Sequence, residues 1–500
     1  MASVTPPPFS YPEVPLHELL RASCRRSPEK AAVIFEDRAI SYAQLEARAN
    51  RLAQALRASG VQRGDRVIVS TYNRPEFLEC FYAVSMAGGV ITPMNPSYKP
   101  EEIAHQITNA EACLALLEAP VYARLAGVRA AASCLKQVVA IGAEPQAGDA
   151  AYEDFLAAFP PEAPPEVSLN ISEDLAALIY SSGTMGRPRG VMMTHRNLVC
   201  SHFQYIYAGQ LTAEDRSLIF LPFVHVYGLM LLNGMIAAGG TQVLLHRYNL
   251  EQTLELVQRH KVTLYYTTTS VLIKMGQFPR LGEYDLSSVR YINSGGAPLP
   301  VEVRRRIRDL TGLPVADGYG MTEAPLVGSF VPAEERRIVD EETGTVELPA
   351  GQPGELIIRG DHVMRGYWRD PEATAAVLRD GWLHTGDIAY LDAKGHLRLA
   401  GRKKEMIKYK GFAISPSEIE GVLLDHPDVS DCAVVGVPDA EAGEVPKAFI
   451  VPKAGARLDA AALRGYLRER LAEYKQVRAF QFVDSIPRNH YGKILRRVLS

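Results

Sequence analysis

Apolar positions in the first part of the chain alternate between helical and strand spacing. Ser41-x-x-Gln44 has the form of a capping box and precedes Leu45, Ala49, Leu52 and Leu56, which share one helical face. Gly64-Asp65 opens an apolar strand over Val67 to Val69. The same alternation returns at Val262 to Tyr266, at Val289 to Ile292 and in a helix beginning near Val301. Strand and helix in turn predict a mainly parallel sheet covered by helices, an α/β fold. Leu218 to Gly240 is apolar enough to raise a membrane-spanning reading, but Pro222, His225, Asn233 and several glycines interrupt it. The expectation there is a buried strand followed by a buried helix.

Past about Gly351 the pattern shortens. Gly354 to Arg359 and Tyr390 to Leu397 read as short strands with tight turns, which predicts a small β-rich subdomain. Gly401-Arg-Lys-Lys-Glu405 is a charged, glycine-led segment between apolar strands, the form of a linker. The predicted organisation is a large N-terminal domain over 1–400, a hinge over 401–405 and a small, mobile α+β domain over 406–500. No internal repeat is visible.

Five hundred residues exceed one hydrophobic core, so at least two domains are expected, with room for a nucleotide and a second substrate. With 54 basic and 57 acidic residues, a net charge of −3 offers no excess potential for a polyanion, which argues against nucleic acid as a partner. The six cysteines form no C-x-x-C pair and stand without histidine at metal-ligand spacing, so reduced thiols are expected and neither a disulfide framework nor a zinc site. No basic-then-apolar leader and no peroxisomal Ser-Lys-Leu are seen at the ends, so the expected location is the cytoplasm. A monomer or homodimer is expected.

Candidate chemistry begins at Tyr180-Ser-Ser-Gly-Thr-Met-Gly-Arg-Pro-Arg-Gly190, which follows the strand-like run Leu175 to Ile179. Glycines and hydroxyls there let backbone N–H groups and side-chain oxygens converge on an anion, and Arg187 and Arg189 add positive charge. This is the composition of a phosphate-cradling loop. It is neither a Walker loop nor a dinucleotide fingerprint, since no G-x-x-x-x-G-K-[ST] and no G-x-G-x-x-G after a strand occur.

The loop resembles the Ser/Thr-Gly-rich phosphate loop of the ANL adenylate-forming superfamily. The rest of that pattern follows in order: Leu221 to Gly228, Asn293 to Leu299, Asp317 to Ala324, Gly381 to Asp387, Gly401 to Lys408 and Gly492 to Arg496. The chain is thereby identified as similar to the acyl-CoA synthetase branch, with 4-coumarate-CoA ligases and fatty acyl-CoA ligases nearest in motif. The resemblance implies ATP, Mg²⁺ and coenzyme A as co-substrates and cofactor, and a small carboxylic acid as partner.

It also implies site residues. Ser181, Ser182, Gly183, Thr184 and Arg189 would hold the phosphates, Asp387 both ribose hydroxyls with Arg402 beside it, and Asp317, Gly318 and Tyr319 the adenine slot. Thr322 would meet the α-phosphate, and Thr184 with Glu323 the Mg²⁺, as hard oxygen donors suit. Lys493 would stand between the attacking carboxylate and the α-phosphate, and His225 would join Glu323, Thr184 and Lys493 in the catalytic set. The acyl pocket would run along Tyr227, Leu231, Gly295, Gly296 and Gly320, with the glycines leaving room for a flat or extended acid. Lys404 matches the hinge of a rotating C-terminal domain, and Lys410 and Gly411 would approach CoA after the turn.

Where most relatives have lysine and threonine, this loop has Arg189 and Met185, and His490-Tyr491 is bulkier than usual. An aryl acid is slightly favoured over a medium- or long-chain fatty acid. Two other readings stay open: an adenylation enzyme that loads a carrier protein, and a nucleotide-binding protein without catalysis.

Overall fold

The structure is a computed structural model that describes residues 11–181, 188–327, 335–410, 412–439, 441–489 and 492–499. Two eight-stranded sheets carry the large N-terminal region. One has the spatial order 324–327, 315–321, 291–295, 264–267, 216–219, 241–244, 31–35 and 38–41, parallel except at its two ends. The other runs 366–367, 190–194, 175–180, 90–93, 66–70, 114–118, 137–141 and 150–151, parallel beyond the hairpin that joins Leu175–Tyr180 to Gly190–Thr194. The α/β expectation is met.

The helices that matter most are apolar nearly all round and therefore buried. Pro75–Met86 and Val226–Ala238 belong to the core shared by both sheets, together with Tyr42, Phe77, Phe81, Tyr82 and Phe223. Burying each such side chain contributes roughly 1.5–3 kcal/mol. Asn233, which argued against a membrane span, is fully buried but satisfied: Tyr82 donates to its Oδ1 at 2.7 Å, and its amide donates to Leu229 O. Among the described residues no helix is long and apolar enough to cross a membrane.

Ser41 caps the helix Tyr42–Ala58 with both bonds of the box in place, as its spacing with Gln44 predicts. Two strands start later than their apolar runs. Val262 N–H returns to Val257 O to close the preceding helix, so that strand is Leu264–Thr267. Val289 N–H closes a turn on Leu286 O, so the next strand is Tyr291–Gly295.

The β-rich subdomain begins at Arg336, earlier than the texture change near Gly351. Arg336–Val339 pairs with Gly354–Ile358, which pairs with Trp382–Leu391, and Leu397–Arg402 completes the sheet. Gly401 and Arg402, the first residues of the expected hinge, therefore belong to a paired strand; the turn proper follows, where Met406 N–H bonds Arg402 O.

The remaining residues build a separate sheet from Ile407–Tyr409, Phe412–Ile414, Val429–Asp439, Gly443–Pro452 and Ala479–Phe482. Helices Pro416–Leu424 and Ala460–Arg468 join its own core of Ile407, Ile419, Leu423, Val434, Ile450 and Leu463. This unit meets the larger one through Arg305 and Asp425 at 3.2 Å, Lys408 and Glu341 at 3.4 Å, and a bond from Gln277 Nε2 to Ser430 O at 3.1 Å.

Candidate active site

The parallel strands Tyr291–Gly295 and Val315–Met321 end side by side, the usual place for a ligand cleft in a sheet of this kind. On its far wall Asp387 and Arg402 sit directly opposite each other in neighbouring antiparallel strands, with Arg402 Nε 2.8 Å from Asp387 Oδ1. The hydroxyl of Tyr319, reaching across from the cleft strand, donates to Asp387 Oδ2. Burial pushes the Asp387 carboxyl up, and Arg402, Tyr319 and the charge of Lys493 hold it down. Asp317 stands on the same strand, 3.5 Å from Arg304, and is still partly open to the cleft; the protein around it raises its carboxyl to about 7 against the pull of Arg304.

Ser181 N–H bonds Arg189 O at 2.9 Å and closes the base of the phosphate loop, while Ser182, Gly183, Thr184, Met185 and Arg187 lie outside the described residues. Arg189 Nε is 3.0 Å from Asp370 Oδ2, and its guanidinium lies 5.5 Å from the ring centre of Tyr367. Tyr367 in turn donates to Glu323 Oε1 at 2.7 Å. Glu323 follows Thr322 in the turn between the strands Val315–Met321 and Ala324–Val327, so both sit at the cleft. Its second carboxylate oxygen takes no bond among those of the described residues, and a hard oxygen donor on the phosphate side fits Mg²⁺. Among the described residues no group of three or more His, Cys, Asp or Glu could hold a metal ion.

Lys493 reaches this cleft from the C-terminal unit. Burial and the neighbouring Arg402 lower its ammonium, with Glu405 and Asp387 opposing. His225 caps the helix Val226–Ala238, its Nδ1 accepting from Tyr227 N–H at 3.2 Å. Burial and the charge of Lys493 bring its imidazole down to about 4, so it faces the lysine as a neutral ring.

The acyl wall differs from the sequence expectation in its physics. Gly295 lets the ring of Tyr227 pack onto the sheet, since an added Cβ would lie 2.9 Å from that ring; at Gly320 it would lie 2.1 Å from Pro325 O, which the hairpin cannot accommodate. These two glycines permit close approach and do not leave room. Gly296 alone of the three faces open space. The Tyr227 hydroxyl donates to Asn293 Oδ1 at 3.0 Å, and Asn293 Oδ1 also lies against Gly318. Leu231 is fully buried. Deeper along the same sheet face the Tyr266 and Tyr291 hydroxyls meet at 2.6 Å, with Tyr205 stacked edge-on against Tyr266.

Lys404 is exposed beyond the paired strand. Lys410 is exposed as well, with φ +45° and its N–H on Ala442 O, and Gly411 lies outside the described residues. The lysine brought into the cleft in this arrangement is Lys493.

A model of the AMP-binding enzyme family matches residues 20–368, and one of the AMP-binding enzyme C-terminal domain matches 418–493. The chain belongs to the AMP-binding enzyme family. It is 34% identical to the long-chain-fatty-acid–CoA ligase of Bacillus subtilis (strain 168), over 99% of this chain and 95% of that one. It is 36% identical to 4-coumarate–CoA ligase 5 of Oryza sativa subsp. japonica, again over 99% and 95%. Among solved structures, anthranilate CoA ligase AuaEII in complex with anthranoyl-AMP matches with a TM-score of 0.90 at 26% identity, covering 100% of this chain and 98% of that one.

Within this AMP-binding enzyme, sequence reasoning missed Tyr367 and Asp370, which link Glu323 and Arg189, and Arg304, which faces Asp317. Asp370-Pro371 carries a helix-start signal, and Asp370 does cap the helix Pro371–Val377. Nothing local tells that it also meets an arginine 181 positions earlier.

Proposed function

We propose that this AMP-forming acid–CoA ligase activates an aromatic carboxylic acid. ATP-dependent joining of a carboxylic acid to coenzyme A is the chemistry. A carboxylate oxygen attacks the α-phosphorus of ATP, the bond to the leaving pyrophosphate breaks, and the thiol sulfur of CoA then attacks the acyl-AMP carbonyl and expels AMP. The observation that carries the aromatic reading is the Tyr227 ring laid on Gly295 with its hydroxyl on Asn293, a flat wall with a polar end, beyond which Tyr205, Tyr266 and Tyr291 fill the sheet face. A planar acid suits such a slot, and an extended chain would have to displace three tyrosines.

In this reading Asp387 and Arg402 hold the ribose, with Asp317, Gly318 and Tyr319 at the base. Glu323 with Thr184 takes the Mg²⁺, and Ser181, Ser182, Gly183, Thr322 and Arg189 take phosphate. Lys493 orients the two reacting anions and stabilises charge that grows on the α-phosphate. Neutral His225 adds no competing positive charge beside it. Turning at Lys404 then withdraws Lys493 and brings Lys410 and Gly411 toward CoA. Six cysteines without a disulfide among them suit a cytoplasmic enzyme.

Pyrophosphate release measured over a panel of benzoic, cinnamic and medium- to long-chain fatty acids tests the acid. The aromatic acids should give the higher kcat/KM, and a fatty acid at the top of the panel would overturn the assignment. Acyl-AMP that is discharged by a phosphopantetheinylated carrier protein but not by free CoA would replace CoA as acceptor.

A further inference from the structure

Lys493 stands on a short hairpin whose fixed points can be traced bond by bond. Arg488 and Ile494 form a bridge pair, Leu495 N–H bonds Pro487 O at 2.9 Å, and Asn489 N–H bonds Lys493 O at 2.8 Å. The Asn489 side-chain oxygen accepts from Lys493 N–H at 2.9 Å, which fixes the backbone of the lysine itself. These bonds shape the hairpin. They do not tie it to the rest of its domain.

Its two ends are tied by Ile486 and Ile494, which pack with Ala433, Val435 and Phe449, and by Arg496, 3.0 Å from Glu420; the carbonyl just before Lys493 is tied by Arg488. Arg488 Nη2 lies 2.7 and 2.9 Å from the two carboxylate oxygens of Asp431, and Arg488 Nη1 donates to Gly492 O at 2.9 Å, the carbonyl immediately before Lys493. Asp431 belongs to the strand Val429–Asp439 and is itself held by Cys432 N–H at 2.9 Å. Its neighbour Ser430 accepts from Gln277 of the large domain, and Gln277 ends the helix Thr269–Gly276, whose first turn carries Ser270 beneath Gly492. A planar guanidinium thus joins the lysine's carbonyl neighbour to the strand that registers the small domain on the large one.

We infer that Arg488, with Asp431 as its anchor, is the positioning residue that sets Lys493 for acyl-AMP formation. It touches neither the cleft nor any group assigned there to substrate. Its action is geometric: without it the hairpin keeps its internal bonds and its packed ends, but the Gly492–Lys493 peptide loses its anchor to Asp431 and with it the fixed aim of the lysine toward Asp387, Arg402 and His225. A displacement of about 1 Å at a charge-orienting group costs on the order of 10²-fold in rate. Lysine cannot replace it, because a point-charge ammonium cannot span carboxylate and carbonyl in one plane.

The inference rests on the proposed role of Lys493 in the first half-reaction, and the two half-reactions separate the possibilities. ATP–pyrophosphate exchange in the presence of acid reads adenylation. Thioester release from chemically prepared acyl-AMP and CoA reads the second step, in which Lys493 is withdrawn. In full-length Arg488→Ala, exchange should fall by about tenfold to a hundredfold while thioester release stays within about twofold. Arg488→Lys should recover little, and Asp431→Asn should fall between wild type and Arg488→Ala. Arg488→Ala combined with Lys493→Ala should be no slower in exchange than Lys493→Ala alone.

Parallel loss of both half-reactions would make Arg488 a structural residue of the domain and overturn the inference. So would unchanged exchange, or losses that multiply in the double variant. If instead Lys493→Ala itself leaves exchange untouched while Arg488→Ala slows it, the proposed role of Lys493 fails and the positioning claim falls with it. Failure of the wild-type protein to exchange with any acid would refute the proposed function and not the geometry.

Discussion

In its proposed role of holding two ribose hydroxyls Asp387 must stay ionised, yet it is only 5% exposed and burial works against its charge. Arg402 is what offsets this, through a 2.8 Å ion pair, while its Nη1 donates to Thr385 O at 3.5 Å. Replacing Arg402 with Gln removes the counter-charge, so the Asp387 carboxyl, already raised, rises further. A protonated carboxyl offers the ribose one acceptor fewer. KM for ATP in Arg402→Gln should therefore rise about tenfold or more near neutral pH, as a lost charge-assisted bond of roughly 1.5–3 kcal/mol implies. The defect should shrink as pH rises through the raised carboxyl pKa, because the charge returns, whereas the wild-type KM stays flat there. Initial rates against ATP from pH 6 to 9 check this, and a defect of constant size would mean that Arg402 acts only by its own contacts.

At the scale of elements, the hairpin carrying Lys493 docks by backbone and leaves no space for a side chain. Gly492 has φ +81°, and an added Cβ would sit 2.5 Å from Ser270 Oγ at the start of the helix Thr269–Gly276. Gly492→Ala should lower ATP–pyrophosphate exchange by about tenfold or more. Adding Ser270→Gly should recover part of the loss, since it removes the obstacle but not the backbone strain of roughly 1 kcal/mol. No recovery would show that the conformation and not the docking is decisive. This contact marks the limit of what the sequence makes legible. The capping box at Ser41, the strand before the phosphate loop and the buried helix after Pro222 are set by spacing within a few residues, and the structure has them. The motif order was enough to gather Asp317, Glu323, Asp387, Arg402 and Lys493 at one cleft. What spacing could not tell is which distant side chain answers each of them: Asp370 to Arg189, Arg304 to Asp317, Asp431 to Arg488. Those pairings are products of tertiary packing between residues that carry no local pattern. At Gly295 and Gly320, expected to leave room for the acid, an added Cβ would meet the Tyr227 ring and Pro325 O, a distinction hidden in sequence, where a missing Cβ looks identical whether it admits a ligand or a neighbouring ring.

For the whole molecule, the polar bonds that hold the small domain to the large one are few and mostly exposed among the described residues, with Leu424 packed against the large core beside them. Arg305–Asp425 and Lys408–Glu341 are pairs worth at most about 1 kcal/mol each in water, which leaves the contact easy to break and remake. The large domain is built differently, and its buried histidines give it a distinct pH signature. Burial lowers His17 and His202 to about 3, and His195 and His362 to about 4, so all four are neutral in the folded chain. Unfolded, they titrate near 6.5, and the unfolded chain then binds more protons than the folded one. Their contribution to stability is fully present above 6.5 and is lost as pH falls toward 4, at roughly 1.4 kcal/mol per pH unit for each histidine. Asp317, Asp387, Glu79 and Glu420 have raised carboxyls and work the other way, gaining protons in the folded state first. Asp317, brought to about 7, opposes the histidines within that window. The net expectation is a thermal midpoint that drops between pH 7 and pH 5. His202 isolates the effect, because its Nδ1 is buried without a hydrogen-bond partner and desolvation alone moves its pKa. Exchanging it for Leu removes one proton from the difference and leaves no donor or acceptor unpaired. The drop between pH 7 and pH 5 should be smaller in His202→Leu than in wild type, with little change at pH 7. Melting followed by near-ultraviolet circular dichroism at both pH values measures it, and equal drops in the two proteins would show that acid weakens the fold through groups other than the buried histidines.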